Sequence, residues 1–86
     1  MPDAAPRLLH VRFFAVLREQ AGCPALDVAS SAPDAAALYA ELQQRFASLT
    51  FPAALLRVSL NECYADMAAP LAAGDRVVFI PPVAGG

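Results

Sequence analysis

A single amphipathic helical segment in the middle of the chain limits the folds open to these 86 residues. Its apolar side chains recur at spacings of three and four, the pattern of one helix face. They are Ala35, Leu38, Leu42 and Phe46. The helix is predicted to end at about residue 47, and either Asp34 or Ser31 can cap its start. Because one helix has one apolar stripe, it can cover one face of one sheet, which the rest of the chain must supply.

Short segments on both sides of the helix alternate between apolar and other side chains, as strands do. In the first segment, Leu9, Val11 and Phe13 share one face, and a short helical turn follows it. The predicted strands are residues 7–15, 25–29, 56–60, a short segment at 63–65, and 76–80. This order predicts an α+β domain in which the helix covers one sheet face and solvent meets the other.

The composition excludes a membrane protein and a nucleic-acid-binding protein. The hydrophobic fraction is 58%, but twenty of these residues are alanine, and no apolar run reaches the roughly 18–20 residues of a membrane helix. Six arginines against eight acidic residues give a net charge of −2, without a basic cluster for nucleic acid. No secretory signal is recognisable at the first residues, so we expect a cytoplasmic protein.

The chain also lacks the side chains for an active site of its own. It contains no lysine, and its one histidine is His10. Cys23 and Cys63 are forty residues apart, with no second Cys or His at metal-ligand spacing, so we predict reduced thiols and no metal site. We therefore expect a protein that is not an enzyme by itself and that binds no cofactor.

The C-terminal residues 81–86 have the composition of a projecting tail. Pro81 and Pro82 have no N–H group to continue a strand, and they favour an extended chain. Gly85 and Gly86 have no Cβ and fit a narrow slot. The α-carboxylate of Gly86 is a reactive group that needs no side chain. Because the chain has neither a glycine-rich phosphate loop nor a lysine, a partner enzyme would have to activate this carboxylate.

Large apolar side chains and arginines are predicted to share the sheet face opposite the helix. If the first and last strands lie in one sheet, the group consists of Phe14, Val78, Ile80, Arg12, Arg57 and Arg76. Such a mixture is typical of a partner-binding surface. A structural face that is partly covered has the same composition, so the residues alone leave both interpretations open.

Two segments resemble the small, sulfur-carrying subunits of molybdopterin synthase. The opening at residues 11–22, VRFFAVLREQAG, is similar to the start of that family. The end at residues 70–86, PLAAGDRVVFIPPVAGG, follows the family pattern of Pro-Leu, Gly-Asp-x-Val, two apolar residues and Pro-Pro-Val-x-Gly-Gly almost completely. The middle of the chain matches in outline, and Glu62 and Cys63 depart from the residues that many relatives carry in that turn.

The resemblance implies a β-grasp, ubiquitin-like fold with a mixed sheet of four to five strands, one main helix and an extended Gly-Gly tail. It divides the chain into a disordered extension at residues 1–6, a domain at residues 7–80 and a tail at residues 81–86. The tail residues expected to enter a partner are Pro81, Pro82, Val83, Ala84, Gly85 and Gly86. Phe14, Tyr64 and Ile80 fall where the family contacts its partners.

The same resemblance implies a cycle of sulfur transfer. A ubiquitin-activating-like adenylyltransferase uses ATP to adenylate the Gly86 carboxylate, which then becomes a thiocarboxylate. The tail enters the large synthase subunit, in a complex expected to be a heterotetramer. Sulfur passes there to cyclic pyranopterin monophosphate, with the catalytic residues supplied by the large subunit.

Two other functions stay open at this point. A sulfur carrier for thiamine or tRNA thiolation would keep the chemistry and change the acceptor, and it could double as a ubiquitin-like protein modifier. An interaction domain with an inert tail would need no activation. The Phe-Phe-Ala-x-Leu-Arg-Glu opening and the Pro-Pro-Val-x-Gly-Gly end favour the molybdopterin synthase carrier.

Overall fold

A computed structural model describes residues 5–82 of the chain. Two α-helices, α1 (Val16–Ala21) and α2 (Ala35–Arg45), and a short 3-10 helix at Ala53–Leu55 lie within this range. The strands are β1 (Arg7–Phe13), β2 (Ala25–Ser30), β3 (Arg57–Leu60), β4 (Cys63–Ala65) and β5 (Arg76–Ile80). The predicted order of strands and helix is therefore confirmed.

Within residues 5–82 the five strands form one mixed sheet, in the order β2–β1–β5–β3–β4. The first and last strands, β1 and β5, pair in parallel at its centre, and the other neighbouring strands are antiparallel. Parallel strands need a long crossover connection, and the chain between them contains α2, whose buried side chains join the core. This arrangement confirms the α+β prediction and the β-grasp fold.

The core lies between α2 and one face of the sheet. The alternating residues Leu9, Val11 and Phe13 of β1 are at most 2% exposed. The other strands and α2 add Val28, Val58, Val77, Phe79, Leu38, Tyr39 and Leu42 to the core. The Phe79 ring lies 6.4 Å from that of Phe13 and 5.2 Å from that of Tyr39. The predicted inward faces of β1 and β5 are therefore confirmed.

Helix α2 begins at a cap supplied by Asp34 rather than by Ser31. The Asp34 Oδ1 atom accepts a hydrogen bond from the Ala37 N–H group at 2.8 Å, which satisfies one of the free N–H groups of the first turn. The helix ends at Arg45, slightly before the predicted end. Phe46 follows outside the helix and still packs against the core.

The apolar pattern of α2 did not include Tyr39, which is fully buried. Its ring packs beside Phe79, and its hydroxyl donates a hydrogen bond to the Phe51 carbonyl oxygen at 2.8 Å. A buried tyrosine needs such a partner. The pairing therefore fixes the loop after α2 as well as the core.

Candidate partner-binding face and tail root

The sheet face opposite α2, which we call the outer face, carries a row of side chains across four strands. Strand register sets Arg12 beside Val78, and Val78 beside Ser59. Tyr64 lies on the far side of Ser59 and is 78% exposed. Because paired residues in neighbouring strands project to the same side of a sheet, these side chains share one surface.

The other predicted partner-binding residues lie above and below this row. Ile80 pairs with Arg57 at one end of β5, and Phe14 lies beside Ile80 directly after β1. Arg76 begins β5 at the opposite end. The structure thus brings all six residues to the outer face: Phe14, Tyr64, Ile80, Arg12, Arg57 and Arg76.

An open recess of about 490 Å³ on the outer face, which we call the charged recess, is lined by ionisable side chains together with apolar ones. His10 Nδ1 lies 2.7 Å from Asp27 Oδ1, and Arg76 Nη2 donates a hydrogen bond to Glu62 Oε2 at 3.1 Å. Both pairs are largely exposed, so they contribute little to stability. Arg12 lines the same recess and has no ion-pair partner within residues 5–82. Its charge is therefore open to an acidic group of a partner.

A second concavity, which we call the tail-root groove, lies where the chain leaves the sheet. Its volume is about 640 Å³ and its lining is almost entirely apolar. The lining residues are Phe14, Ala15, Val16, Phe51, Ile80, Pro81 and Pro82. Phe14 also lines the charged recess, so the outer face and the groove form one continuous surface.

A tight turn after β1 sets the position of Phe14. The Leu17 N–H group donates a hydrogen bond to the Phe14 carbonyl oxygen at 3.0 Å, which closes a four-residue turn. Its second residue, Ala15, has φ 52° and ψ −125°, the angles of a type II′ turn in which glycine is the usual residue. Helix α1 follows and stops at Gly22, which has φ 82°. The turn leaves Phe14 45% exposed at the end of β1.

Phe51 reaches the groove because a side chain of α1 holds its loop. Gln20 Oε1 accepts hydrogen bonds from the N–H groups of Thr50 at 3.0 Å and Phe51 at 3.1 Å. The Tyr39 hydroxyl holds the Phe51 carbonyl from the other side. Sequence reasoning missed Phe51, since hydrogen bonds between distant segments leave no periodic signal in the chain.

The predicted tail leaves the domain at the groove. Strand β5 ends at Ile80; Pro81 is buried and Pro82 exposed. Val83, Ala84, Gly85 and Gly86 lie outside the described residues. Tail insertion and the chemistry of the Gly86 carboxylate therefore stay predictions.

Within residues 5–82 no group of three or more His, Cys, Asp or Glu side chains could hold a metal ion. Neither helix in that range is long and apolar enough to cross a bilayer. Cys23 and Cys63 are free thiols. Burial raises the pKa of Tyr39, but this residue belongs to the core rather than to the outer face.

Comparisons with known proteins identify the relatives of this chain. The model of the ThiS family matches residues 11–86. The molybdopterin synthase sulfur carrier subunit of Escherichia coli K12 is 37% identical over 82 residues, which cover 92% of this chain and 100% of that subunit.

Two solved structures have the same fold. SAMP1, the small archaeal modifier protein 1 of Haloferax volcanii, is 25% identical with a TM-score of 0.76, covering 92% of this chain and 99% of its own. A chain in the complex of subunits 1 and 2 of molybdopterin-converting factor from Helicobacter pylori is 28% identical with a TM-score of 0.64, again covering 92% and 99%. On the matches in sequence, this chain belongs to the ThiS family and to the family of the molybdopterin synthase sulfur carrier subunit.

Proposed function

We propose that this protein is the sulfur carrier subunit of molybdopterin synthase in molybdenum cofactor biosynthesis. The observation that carries the proposal is the 37% identity to the Escherichia coli carrier over the whole length of that subunit. The Helicobacter pylori relative comes from a complex of two subunits, which supports a role for this chain beside a partner subunit.

The chemistry of the proposal takes place at the Gly86 carboxylate. A carboxylate oxygen attacks the α-phosphorus of ATP, pyrophosphate leaves, and an acyl-adenylate forms. A donor with sulfur at the oxidation level of sulfide then attacks the carbonyl carbon, and AMP leaves to give the thiocarboxylate. In the synthase the thiocarboxylate sulfur would form a bond to cyclic pyranopterin monophosphate, and water would then cleave the bond between the Gly86 carbonyl carbon and the sulfur, which leaves the sulfur on the pterin and regenerates the carboxylate.

Partners supply the activation and the catalysis. The chain has no lysine and no glycine-rich phosphate loop that could hold a nucleotide. An adenylyltransferase of the ubiquitin-activating type would bind ATP, and the large synthase subunit would hold the pterin in a heterotetramer. The contribution of this chain is a docking surface and a tail of small residues that reaches into each partner.

The position of the outer face relative to the tail supports this division of labour. Ile80 ends β5 on the outer face, and the chain continues directly into Pro81 and Pro82. A partner bound over Phe14 and Ile80 would therefore lie next to the root of the tail. Apolar anchors next to arginines are the composition that partner interfaces favour.

The proposal is tested by sulfur loading. We expect incubation with the cognate activating enzyme, ATP and a sulfur donor to increase the intact mass by the exchange of one oxygen for one sulfur. Deletion of Gly86 is the matched control: it should abolish loading and leave thermal unfolding nearly unchanged, because the tail follows the last strand. An unmodified wild-type mass in the presence of a demonstrably active enzyme would refute the carrier function.

The acceptor requires a second measurement. We expect the loaded protein, combined with the large subunit and cyclic pyranopterin monophosphate, to yield the dithiolene product. Transfer of sulfur to a thiamine precursor or to tRNA without any dithiolene product would favour the alternative carrier functions.

The likeness to Haloferax volcanii SAMP1 favours protein modification as a second candidate function. A modifier would use the same acyl-adenylate: an amine of a target protein would attack the Gly86 carbonyl carbon, and AMP would leave as the amide forms. Because the 86 residues contain no lysine, such a conjugate could not be extended through a side-chain amine of this protein. Single additions of its mass to other proteins, without sulfur loading, would support this candidate over the carrier.

A further inference from the structure

Ala15 has a backbone conformation that residues with a side chain rarely adopt. Its φ of 52° and ψ of −125° belong to a region that glycine enters freely and that destabilises other residues. Among the other positions of positive φ in residues 5–82, two are glycines, Gly22 and Gly74, and the remaining two form the exposed turn at residues 61–62. Strain of this kind is found mainly at functional sites, so the methyl group of Ala15 needs an explanation.

The fold itself makes no use of this methyl group. Ala15 is exposed and lies outside the core. Its carbonyl oxygen accepts a hydrogen bond from the Arg18 N–H group at 3.0 Å, which a glycine would accept equally well. The Ala15 side chain instead lines the tail-root groove with Phe14 and Ile80.

We propose that Ala15 is a contact residue for the partner that receives the tail, and that its strained conformation is retained because its methyl group completes the apolar groove. The inference rests on the proposed function and names a further part of its docking surface. The occupant of the groove is a set of apolar side chains at the rim of the slot in the large subunit.

The length of the tail supports this occupant. Pro81 and Pro82 line the groove, and Gly86 is four residues beyond Pro82, a separation of at most about 14 Å in an extended chain. A partner that takes Gly86 into a slot must therefore lie against the groove. Because the lining is almost entirely apolar, the groups that cover it are apolar rather than acidic.

Ala15→Gly tests the inference because it should move stability and binding in opposite directions. Relief of the strained backbone should raise the unfolding temperature by a few degrees. Loss of one buried methyl group should raise the Kd for the large subunit about fourfold, measured by titration calorimetry with the full-length chain. If Ala15 had only a structural role, the more stable Ala15→Gly variant would bind the large subunit with an unchanged Kd.

Gly74→Ala is the matched control, since it adds a methyl group at a positive φ of 81° with no atom near the new Cβ. Gly74 does not line the groove, so this variant should unfold at a lower temperature and bind with unchanged Kd. Wild-type affinity in Ala15→Gly, or a fall in its unfolding temperature, would overturn the role of Ala15 alone. Failure of the wild-type protein to bind the large subunit would overturn the proposed function with it.

Discussion

Phe13 and Phe14 are neighbours in the chain, yet Phe13 is 1% exposed and Phe14 is 45% exposed. Phe13 packs in the core, 6.4 Å from Phe79. Phe14 lies at the junction of the charged recess and the tail-root groove. The difference arises from strand alternation, which sends successive side chains to opposite faces.

The comparison extends from these two residues to the two faces of the sheet. The inner face is closed by α2 and is apolar, whereas the outer face combines apolar rings with arginine side chains. The central strands β1 and β5 contribute to both faces. Substitutions at neighbouring positions of one strand should therefore affect either the stability of the fold or the binding of a partner, according to the face on which the side chain lies.

The largest expected difference between the faces is in stability. Phe13→Ala should lower the free energy of unfolding by about 3–5 kcal/mol, since it leaves a cavity in the core. Phe14→Ala, its neighbour and matched control, should lower it by about 1 kcal/mol or less, because much of that ring already meets solvent. Urea unfolding of both variants measures the two values. Equal losses would mean that Phe14 is structural and that the two faces are not distinct.

The second prediction concerns binding. Phe14→Asp should weaken binding to the large subunit about tenfold or more, because a carboxylate would be desolvated at an apolar contact. Leu55→Asp is the control: Leu55 is 57% exposed and lines neither the recess nor the groove. Calorimetric titration should give an unchanged Kd for Leu55→Asp. Collapse of the fold in Phe14→Asp, seen by circular dichroism, would contradict the assignment of Phe14 to the outer face.

The two tyrosines of the chain allow a finer comparison. Tyr39 is buried and its hydroxyl donates a hydrogen bond to the Phe51 carbonyl, whereas Tyr64 is 78% exposed. Tyr39→Phe should reduce the free energy of unfolding by about 1 kcal/mol, because the Phe51 carbonyl oxygen loses the shorter of its two hydrogen bonds and keeps the one from Gln43 Nε2 at 3.5 Å. Tyr64→Phe should leave it unchanged within error. A similar loss in both variants would argue against the hydrogen bond as the cause.

The stability of the protein at alkaline pH should depend on the same buried hydroxyl of Tyr39. Burial raises the pKa of Tyr39 above the ordinary value of 10.0, so its contribution to stability is complete below about pH 10. As the pH rises further, the unfolded chain loses this proton first and stability falls. The decline above pH 10 should be shallower in Tyr39→Phe than in the wild-type protein, as measured by urea unfolding across that range.

The features that could be predicted from the sequence are those that follow a periodic pattern of apolar residues. Alternation assigned Leu9, Val11 and Phe13 to the core and Phe14 to the opposite side, because a strand has only two faces. The helix stripe was equally readable and passes through Tyr39, four residues after Ala35, but spacing alone does not show that a carbonyl of the next loop satisfies the Tyr39 hydroxyl and allows its burial. The prediction that Tyr64 contacts a partner came from the family resemblance and not from the alternation of strand residues.

Features that depend on contacts between distant segments, or on backbone angles, were beyond prediction. The choice of Asp34 over Ser31 as the cap depends on the path of the chain into α2. Phe51 joins the groove because Gln20 and Tyr39 hold its backbone. The positive φ angles of Ala15 and Glu62 occur at residue types that normally avoid them, so no propensity could have indicated either.

The smallest expected effect is that of a substitution at Glu62, which lies at the margin of the outer face. Asn61 and Glu62 form the two-residue turn between β3 and β4, with φ angles of 52° and 75°, and such turns favour Asn-Gly. Glu62→Gly should raise the free energy of unfolding by about 0.5–1 kcal/mol, since relief of the strained backbone exceeds the loss of the exposed ion pair with Arg76. Glu62→Ala is the control, because it removes the same carboxylate and keeps the strain, so it should not stabilise the protein. Equal unfolding midpoints in urea for the two variants would show that backbone strain at position 62 does not lower the stability of the protein.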